Sequence, residues 1–204
     1  MRTFAPTLAA AAAAALIAGC AVAQTADHSG HAAPAQTSAQ APAATPAPAP
    51  APIGTAALKT AEGADAGTVT AFKGPMGLLF RVEGKGWPAG WHGVHLHEVG
   101  KCEGPGFTSA GAHVNHAEGA RPHGLLNTGG GPDLGDLQNV YAGADGSSHA
   151  EVYLAGSGLG MGGMDLMDTD GLSFLVHANR DDHVSQPIGG AGARIACGVF
   201  EPAA

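Results

Sequence analysis

The sequence predicts an all-β domain, a sandwich or barrel of short strands, between about Gly54 and Pro202. Three observations predict it. The aromatic residues other than Phe4 all fall after residue 70: Phe72, Phe80, Trp87, Trp91, Phe107, Tyr141, Tyr153, Phe174 and Phe200. A core can therefore form only there. The 33 glycines accompany few helix-favouring runs, which points to turns and short strands. Short apolar or alternating segments recur between those glycines: Thr68–Phe72, Leu78–Glu83, Gly93–Glu98, Asn139–Ala142, Ala150–Leu154, Ser173–His177 and Arg194–Phe200. Regular spacing of such segments is the mark of a sandwich or barrel.

Upstream of that domain the composition differs. Residues 1–19 read as an export signal peptide, with Arg2 as the positive start and Leu8–Ile17 as the apolar stretch. A membrane span needs about 20 apolar residues, more than this stretch offers. Ile17-Ala18-Gly19-Cys20 resembles the bacterial lipobox, whose cysteine carries lipid; the alternative is an ordinary signal cleaved near Ala23. Residues 20–53 are mostly Ala, Pro, Thr, Gln and Ser, too poor in apolar surface to offset the entropy of ordering. They are read as a tether whose Ala-Pro run 46–52 is extended and stiff. His28 and His31 lie in it and are read as solvated.

The folded region, 54–204, carries the chemistry. The formal net charge of -8 disfavours nucleic acid as a partner, since phosphate binding needs a basic surface. Eleven histidines against nine Lys and Arg is an unusual balance, and histidine is the commonest metal ligand. In Gly93-Val94-His95-Leu96-His97-Glu98, strand alternation puts His95 and His97 on one face and Val94 and Leu96 on the other. Two imidazoles on one strand face are half of the square-planar nitrogen site that copper(II) prefers. The glycine-rich stretch from Gly100 to Gly135 has no strand of its own and holds His113, His116, His123 and Asp133, with Asp136 next. A loop that long is usually functional.

Further elements follow in order: Ser109-Ala110-Gly111-Ala112-His113-Val114-Asn115, His123-Gly124, Gly135-Asp136-Leu137-Gln138-Asn139-Val140, Phe174-Leu175-Val176-His177 with Asp181 and Asp182 beyond, and Arg194-Ile195-Ala196-Cys197-Gly198-Val199. Together they resemble the copper/zinc superoxide dismutase family along essentially all of the folded region. The resemblance implies an all-β Greek-key β-barrel or sandwich, immunoglobulin-like, with long metal-binding and channel loops. It implies copper on His95, His97, His113 and His177, with His113 bridging to zinc on His123 and Asp136. Asp181 matches the carboxylate that links a copper-side to a zinc-side histidine, Arg194 the arginine at the mouth of the copper channel, and Cys102 and Cys197 a disulfide. The implied activity is dismutation of superoxide, with His113 as the proton donor to departing peroxide.

One position departs from the family. Its remaining zinc ligand is usually a histidine three residues before the aspartate, and here that residue is Asp133. Carboxylate oxygen can ligate zinc, so Asp133 is expected to complete the site. The alternatives are His116 or water in its place, or weak or absent zinc. His92, His116, His149 and His183 are read as plain surface histidines. The positive rim of the channel reads as thin, with Arg180 and Lys101 beside Arg194, so a weak dependence of turnover on salt is expected. Two rival functions remain at this stage, a non-catalytic exported copper carrier on the same fold and a structural sandwich. The implied location is the bacterial periplasm, with membrane attachment only through lipid on Cys20. The oligomeric state, a homodimer included, is left open.

Overall fold

Alternation in the sequence becomes alternation of burial in the computed structural model, which describes residues 48–115, 121–156 and 169–203. The signal peptide, Cys20, most of the tether with His28 and His31, and His116 lie outside the described residues. Nine strands are present among the described residues: β1 (Pro52–Lys59), β2 (Asp65–Gly74), β3 (Gly77–Gly84), β4 (Gly90–His92), β5 (Val94–His97), β6 (Val140–Ala142), β7 (Ser148–Ala155), β8 (Ser173–His177) and β9 (Arg194–Pro202). The one helical element among the described residues is a single 3-10 turn, Thr108–Ala110. The seven segments read as strands from sequence overlap β2, β3 and β5 to β9. The structure adds β1 and β4.

Seven strands form one antiparallel sheet in the order β5-β8-β9-β1-β2-β3-β7, and β4 pairs with β6 in a separate two-stranded ladder. Because β3 pairs with β7 and β5 with β8, the chain leaves the sheet and returns out of sequence order, as Greek-key connections do. Side chains from both sheets share one core. Phe80 (β3) packs on Phe174 (β8) and Phe200 (β9), with ring centroids 6.3 and 5.7 Å apart, and Val140 and Ala142 of β6 join the same cluster. Burying each such ring contributes roughly 1.5–3 kcal/mol. This is the all-β sandwich that the sequence predicts.

Two strands at one end of the sheet position everything that follows. All five residues of β8 are buried. Phe174 and Val176 face the main core, while Leu175 packs with Phe107, Ala110 and Cys197 under the long loop. β5 lies at the sheet edge, where unpaired backbone groups invite a partner. The loop supplies that partner through isolated bridges His95↔Asp136 and His97↔His113, with Val114 N–H donating to Leu96 O at 3.0 Å and Leu96 N–H to Gly135 O at 2.9 Å. Backbone pairing alone therefore brings His113 and Asp136 alongside His95 and His97.

The disulfide Cys102–Cys197 ties the start of the loop to β9 across a sequence separation of 95 residues. Closing so long a loop stabilises the fold by about 3–5 kcal/mol if it acts through the unfolded chain. The double variant Cys102→Ser/Cys197→Ser is expected to lose that amount in urea unfolding at pH 7, with little change in far-ultraviolet circular dichroism. An unchanged midpoint would show that the bridge adds nothing to the fold.

Candidate metal centre

Alternation on β5 puts Val94 and Leu96 in the core, and His95 and His97 are buried on the other side. His177 ends β8, where a register shift follows Val176 and sets His177 opposite Arg194 on β9. With His113 delivered by the loop, one donor atom from each of His95, His97, His113 and His177 lies within 4.8 Å of the others.

Each of these four rings has one nitrogen engaged and one free. His95 Nε2–H donates to Asp181 Oδ2 at 2.7 Å, His97 Nδ1–H to Gly111 O at 2.9 Å and His177 Nδ1–H to Gly192 O at 3.0 Å. His113 Nδ1 meets Asp133 Oδ2 at 3.1 Å. On these four rings the buried nitrogens without a hydrogen-bond partner are His95 Nδ1, His97 Nε2, His113 Nε2 and His177 Nε2. Fixing one nitrogen as donor leaves the other as a lone pair, which a metal ligand requires. A buried polar atom left unpaired is costly, so four of them on adjoining rings mark a site built for something that binds nitrogen.

A second cluster adjoins the first. Asp136 Oδ2 accepts from Gly124 N–H at 2.6 Å and Asp133 N–H at 3.2 Å, which leaves Asp136 Oδ1 without a hydrogen-bond partner. That oxygen lies against His123 Nδ1 and 3.4 Å from His113 Nδ1. His123 Nδ1 likewise has no aligned hydrogen bond. Donor atoms of His95, His113, His123 and Asp136 form a group within 4.8 Å of one another. Asp133 stands outside that group and His95 takes its place. Asp133 Oδ2 stands beside His113 Nδ1, at 3.1 Å.

Asp181 joins the two clusters. Its Oδ2 accepts from His95, its Oδ1 from His123 Nε2–H at 3.1 Å and from His183 N–H at 2.6 Å. Asn139 clamps its backbone, with Oδ1 accepting Asp181 N–H at 2.9 Å and Nδ2–H donating to Asp181 O at 2.8 Å. Gly189 packs so closely that a Cβ there would overlap Asp181 Oδ1, and its φ of +59° is the left-handed region where glycine is favoured.

Two histidines read as surface residues are not. His92 is 1% exposed, with Nδ1 2.7 Å from His177 O and Nε2 2.7 Å from Pro88 O, so it anchors the end of β8. The side chain of His183 is 14% exposed and accepts from Asn139 Nδ2–H at 2.9 Å. His149 is exposed as expected. Neither position lies in a segment long enough to show a strand periodicity: His92 ends the three-residue strand β4, and His183 lies in the loop after Asp181.

The cleft above His113 holds about 520 Å³ and is lined by both cations and anions, Arg194, Arg121, Glu98 and Asp133 among them. Arg194 donates from Nη1 to Phe107 O at 2.6 Å and from Nη2 to Gly111 O at 2.8 Å. Gly111 O thus serves both His97 and Arg194. Arg180 and Lys101 do not line this cleft, and Arg121, which the sequence reading did not count, does.

Burial dominates the titration of His95, His97 and His177. Loss of water holds His95 down to about 3, His97 to about 2 and His177 to about 4. His123 moves the other way. Burial alone would lower it, but hydrogen bonds to Asp136 and Asp181 raise it to about 10. The same burial opposes ionisation of Asp181, yet its hydrogen bonds to His123 and His95 hold its carboxyl well below the usual range.

These features define a β-sandwich protein with two adjoining clusters of metal-donor side chains that share His95 and His113. Comparison with known proteins agrees. Residues 65–200 match the family described as Copper/zinc superoxide dismutase (SODC). The "Superoxide dismutase [Cu-Zn]" of Caulobacter vibrioides is 51% identical over 152 residues, covering 72% of this chain and 84% of that protein. The solved "Cu/Zn superoxide dismutase from Brucella abortus" superposes with a TM-score of 0.56 at 30% identity, covering 72% of this chain and 98% of that one. A solved superoxide dismutase-like protein from Bacillus subtilis gives 0.65 at 32% identity, covering 71% and 96%. The chain belongs to the copper/zinc superoxide dismutase family.

The depressed values of His95, His97 and His177 have a sign. In the unfolded chain each ring takes up a proton near pH 6.5, while in the fold it stays neutral until far lower pH. The unfolded state therefore binds more protons between 6.5 and about 4, and folding stability falls as pH drops through that window. The slope approaches about 1.4 kcal/mol per pH unit for each ring. Metal-free protein is expected to show a lower urea midpoint at pH 5 than at pH 7. An equal or higher midpoint at pH 5 would contradict the neutral, buried state of these rings.

Proposed function

We propose that this chain converts superoxide to dioxygen and hydrogen peroxide, with copper on His95, His97, His113 and His177 and zinc on His113, His123, Asp136 and Asp133. One observation carries the reading: four buried imidazoles adjoin, each with one nitrogen hydrogen-bonded and the other unpaired. An all-imidazole donor set suits copper, and a mixed imidazole and carboxylate set suits zinc. When bound, copper supplies the one-electron exchange by which one superoxide is oxidised and a second, with two protons, is reduced to hydrogen peroxide.

The protein's own groups do the remainder. Arg194 lines the cleft with its guanidinium fixed by two carbonyls, so a charged donor meets the incoming anion without first being ordered. His113 Nε2 opens on the copper side while Nδ1 stays with the carboxylates, so the ring can hold a proton at Nε2 and pass it to departing peroxide. Asp181 keeps His95 and His123 in the tautomers that direct their free nitrogens to the two sites. Asp133 and Asp136 together give the zinc side more negative charge than a histidine-rich set would. A non-catalytic copper carrier is less well supported, because a carrier has no use for an arginine beside an open cleft.

We further propose that the chain is exported to the periplasm and held at a membrane by lipid on Cys20, residues 1–19 being removed and residues 20–53 spacing the domain from the surface. A homodimer has one surface feature in its favour, the exposed edge-to-face pair Trp91 (52%) and Tyr141 (53%) on β4 and β6.

Metal analysis and a superoxide-removal assay test the function together. The purified chain is expected to hold one copper and one zinc and to remove superoxide. A copper-loaded chain without activity would leave the carrier reading. Arg194→Ala is expected to lower the rate roughly tenfold with copper retained, and loss of copper would mean its role is structural. Asp133→Ala is expected to weaken zinc binding by chelator competition with copper retained; unchanged zinc affinity would remove Asp133 from the ligand set. Cys20→Ser is expected to move the protein from the membrane to the soluble fraction, and unchanged membrane association would exclude lipid at that residue.

A further inference from the structure

We infer that Gln186 is the positioning residue for His123, its side-chain carboxamide taking the place of the neighbouring strand that this histidine lacks. The inference rests on the zinc reading of the second donor cluster above. The five donor histidines differ in what holds their backbone. His95 and His97 lie on β5, His177 ends β8, and His113 bridges to His97. His123 lies in no strand and no bridge, although it is 2% exposed. Its N–H and C=O need partners all the same.

Gln186 supplies them across a sequence separation of 63 residues. Its Oε1 accepts His123 N–H at 3.0 Å, and its Nε2–H donates to His123 O at 2.8 Å. A carboxamide carries the acceptor and donor of a peptide group, so this is the exchange that a paired strand residue would make. Nε2–H also donates to Val184 O at 3.0 Å. All three bonds fit one orientation of the amide, since turning it over would set its oxygen against two carbonyls. Asn127 Nδ2–H shares His123 O, at 3.0 Å, and leaves the N–H to Gln186.

The glutamine stands on a braced turn. Asp182 Oδ1 accepts from the N–H groups of Val184 and Ser185 at 2.9 and 2.8 Å, and its Oδ2 accepts from Ser185 Oγ–H at 2.6 Å. Gly189 N–H donates to Ser185 O at 2.7 Å, and Asp182 N–H to Gly189 O at 2.9 Å. Asp181 opens the same turn, and its Oδ1 takes His123 Nε2–H at 3.1 Å. One stretch of chain, 181–189, therefore holds the ring by its tip and the backbone at its root. With both ends fixed, Nδ1 faces Asp136 Oδ1. The bonds of Gln186 go to His123 and Val184 and to none of His95, His97, His113 and His177, so its effect falls on the zinc side.

The test uses the purified full chain and the variants Gln186→Ala, Gln186→Met and Gln186→Glu. Zinc and copper(II) affinities are measured by chelator competition. The visible spectrum of cobalt(II), bound in place of zinc, reports the donor geometry. Hydrogen exchange at the His123 amide is followed by NMR in the metal-free chain. Gln186→Ala is expected to weaken zinc about tenfold and to shift the cobalt bands, with copper affinity unchanged. Gln186→Met fills the space without the bonds and should match alanine. Gln186→Glu keeps the acceptor but sets a carboxylate against two carbonyls, and should bind zinc no better than alanine. The His123 amide should exchange about tenfold faster in the alanine variant. Wild-type zinc affinity and cobalt bands in Gln186→Ala overturn the inference, as does an equal loss of zinc and copper affinity, which marks a general loosening of the fold. A wild-type chain that takes up copper but no zinc overturns the zinc reading. Faster exchange at His123 in Gln186→Ala then still upholds the hold of Gln186 on that backbone, and unchanged exchange overturns it.

Discussion

A buried carboxylate between two imidazoles is the interaction on which the site depends. Asp181 is almost inaccessible to water. An ionised carboxylate so placed costs several kcal/mol unless charged or strongly polar donors surround it. Here the donors are His95, His123 and the backbone N–H of His183, and Asn139 holds the segment so that all three reach it. The arrangement is reciprocal. Asp181 stays ionised because two ring N–H groups point at it, and each ring keeps its opposite nitrogen free because Asp181 takes the first. A change at Asp181 is therefore felt in both donor clusters at once.

Backbone pairing supplies the rest of the preorganisation. β5 is an edge strand, and the long loop completes it through His113 and Asp136 rather than leaving it open to another chain. One device solves two problems, since it satisfies the exposed strand edge and sets the loop residues in register with His95 and His97. The placing of His113 and Asp136 is thus written into the sheet.

Much of this was legible in the sequence because it obeys a period. Val94-His95-Leu96-His97 alternates, and alternation alone sends the valine and leucine inward and the two imidazoles to the other face. The apolar runs of β2, β3 and β7 to β9 were visible for the same reason. β1 was hidden because its Gly-Thr-Ala-Ala-Leu continues the small-residue composition of the preceding Ala-Pro run, and only pairing with β2 and β9 makes it a strand. β4 is three residues between glycines, too short to show a period. The burial of His92 depends on carbonyls contributed by Pro88 and His177, and the latter lies 85 residues away in the chain. The place of Arg121 in the cleft wall depends on an asparagine side chain that bonds backbone. Neither kind of contact leaves a mark on residue spacing. The position of Asp133 is intermediate. The resemblance to the family flagged it, three residues before Asp136, but its standing beside His113 is set by the turn in which its own N–H bonds Asp136 Oδ2.

The cystine has a consequence beyond holding the fold. It fastens the stretch of loop whose carbonyls at Phe107 and Gly111 grip Arg194, and Cys197 packs in the same small cluster as Phe107. A chain still in its dithiol form would lack that fastening, and the two carbonyls that hold the guanidinium would be less firmly placed. Closing the disulfide thus orders the setting of a surface cation as well as the fold.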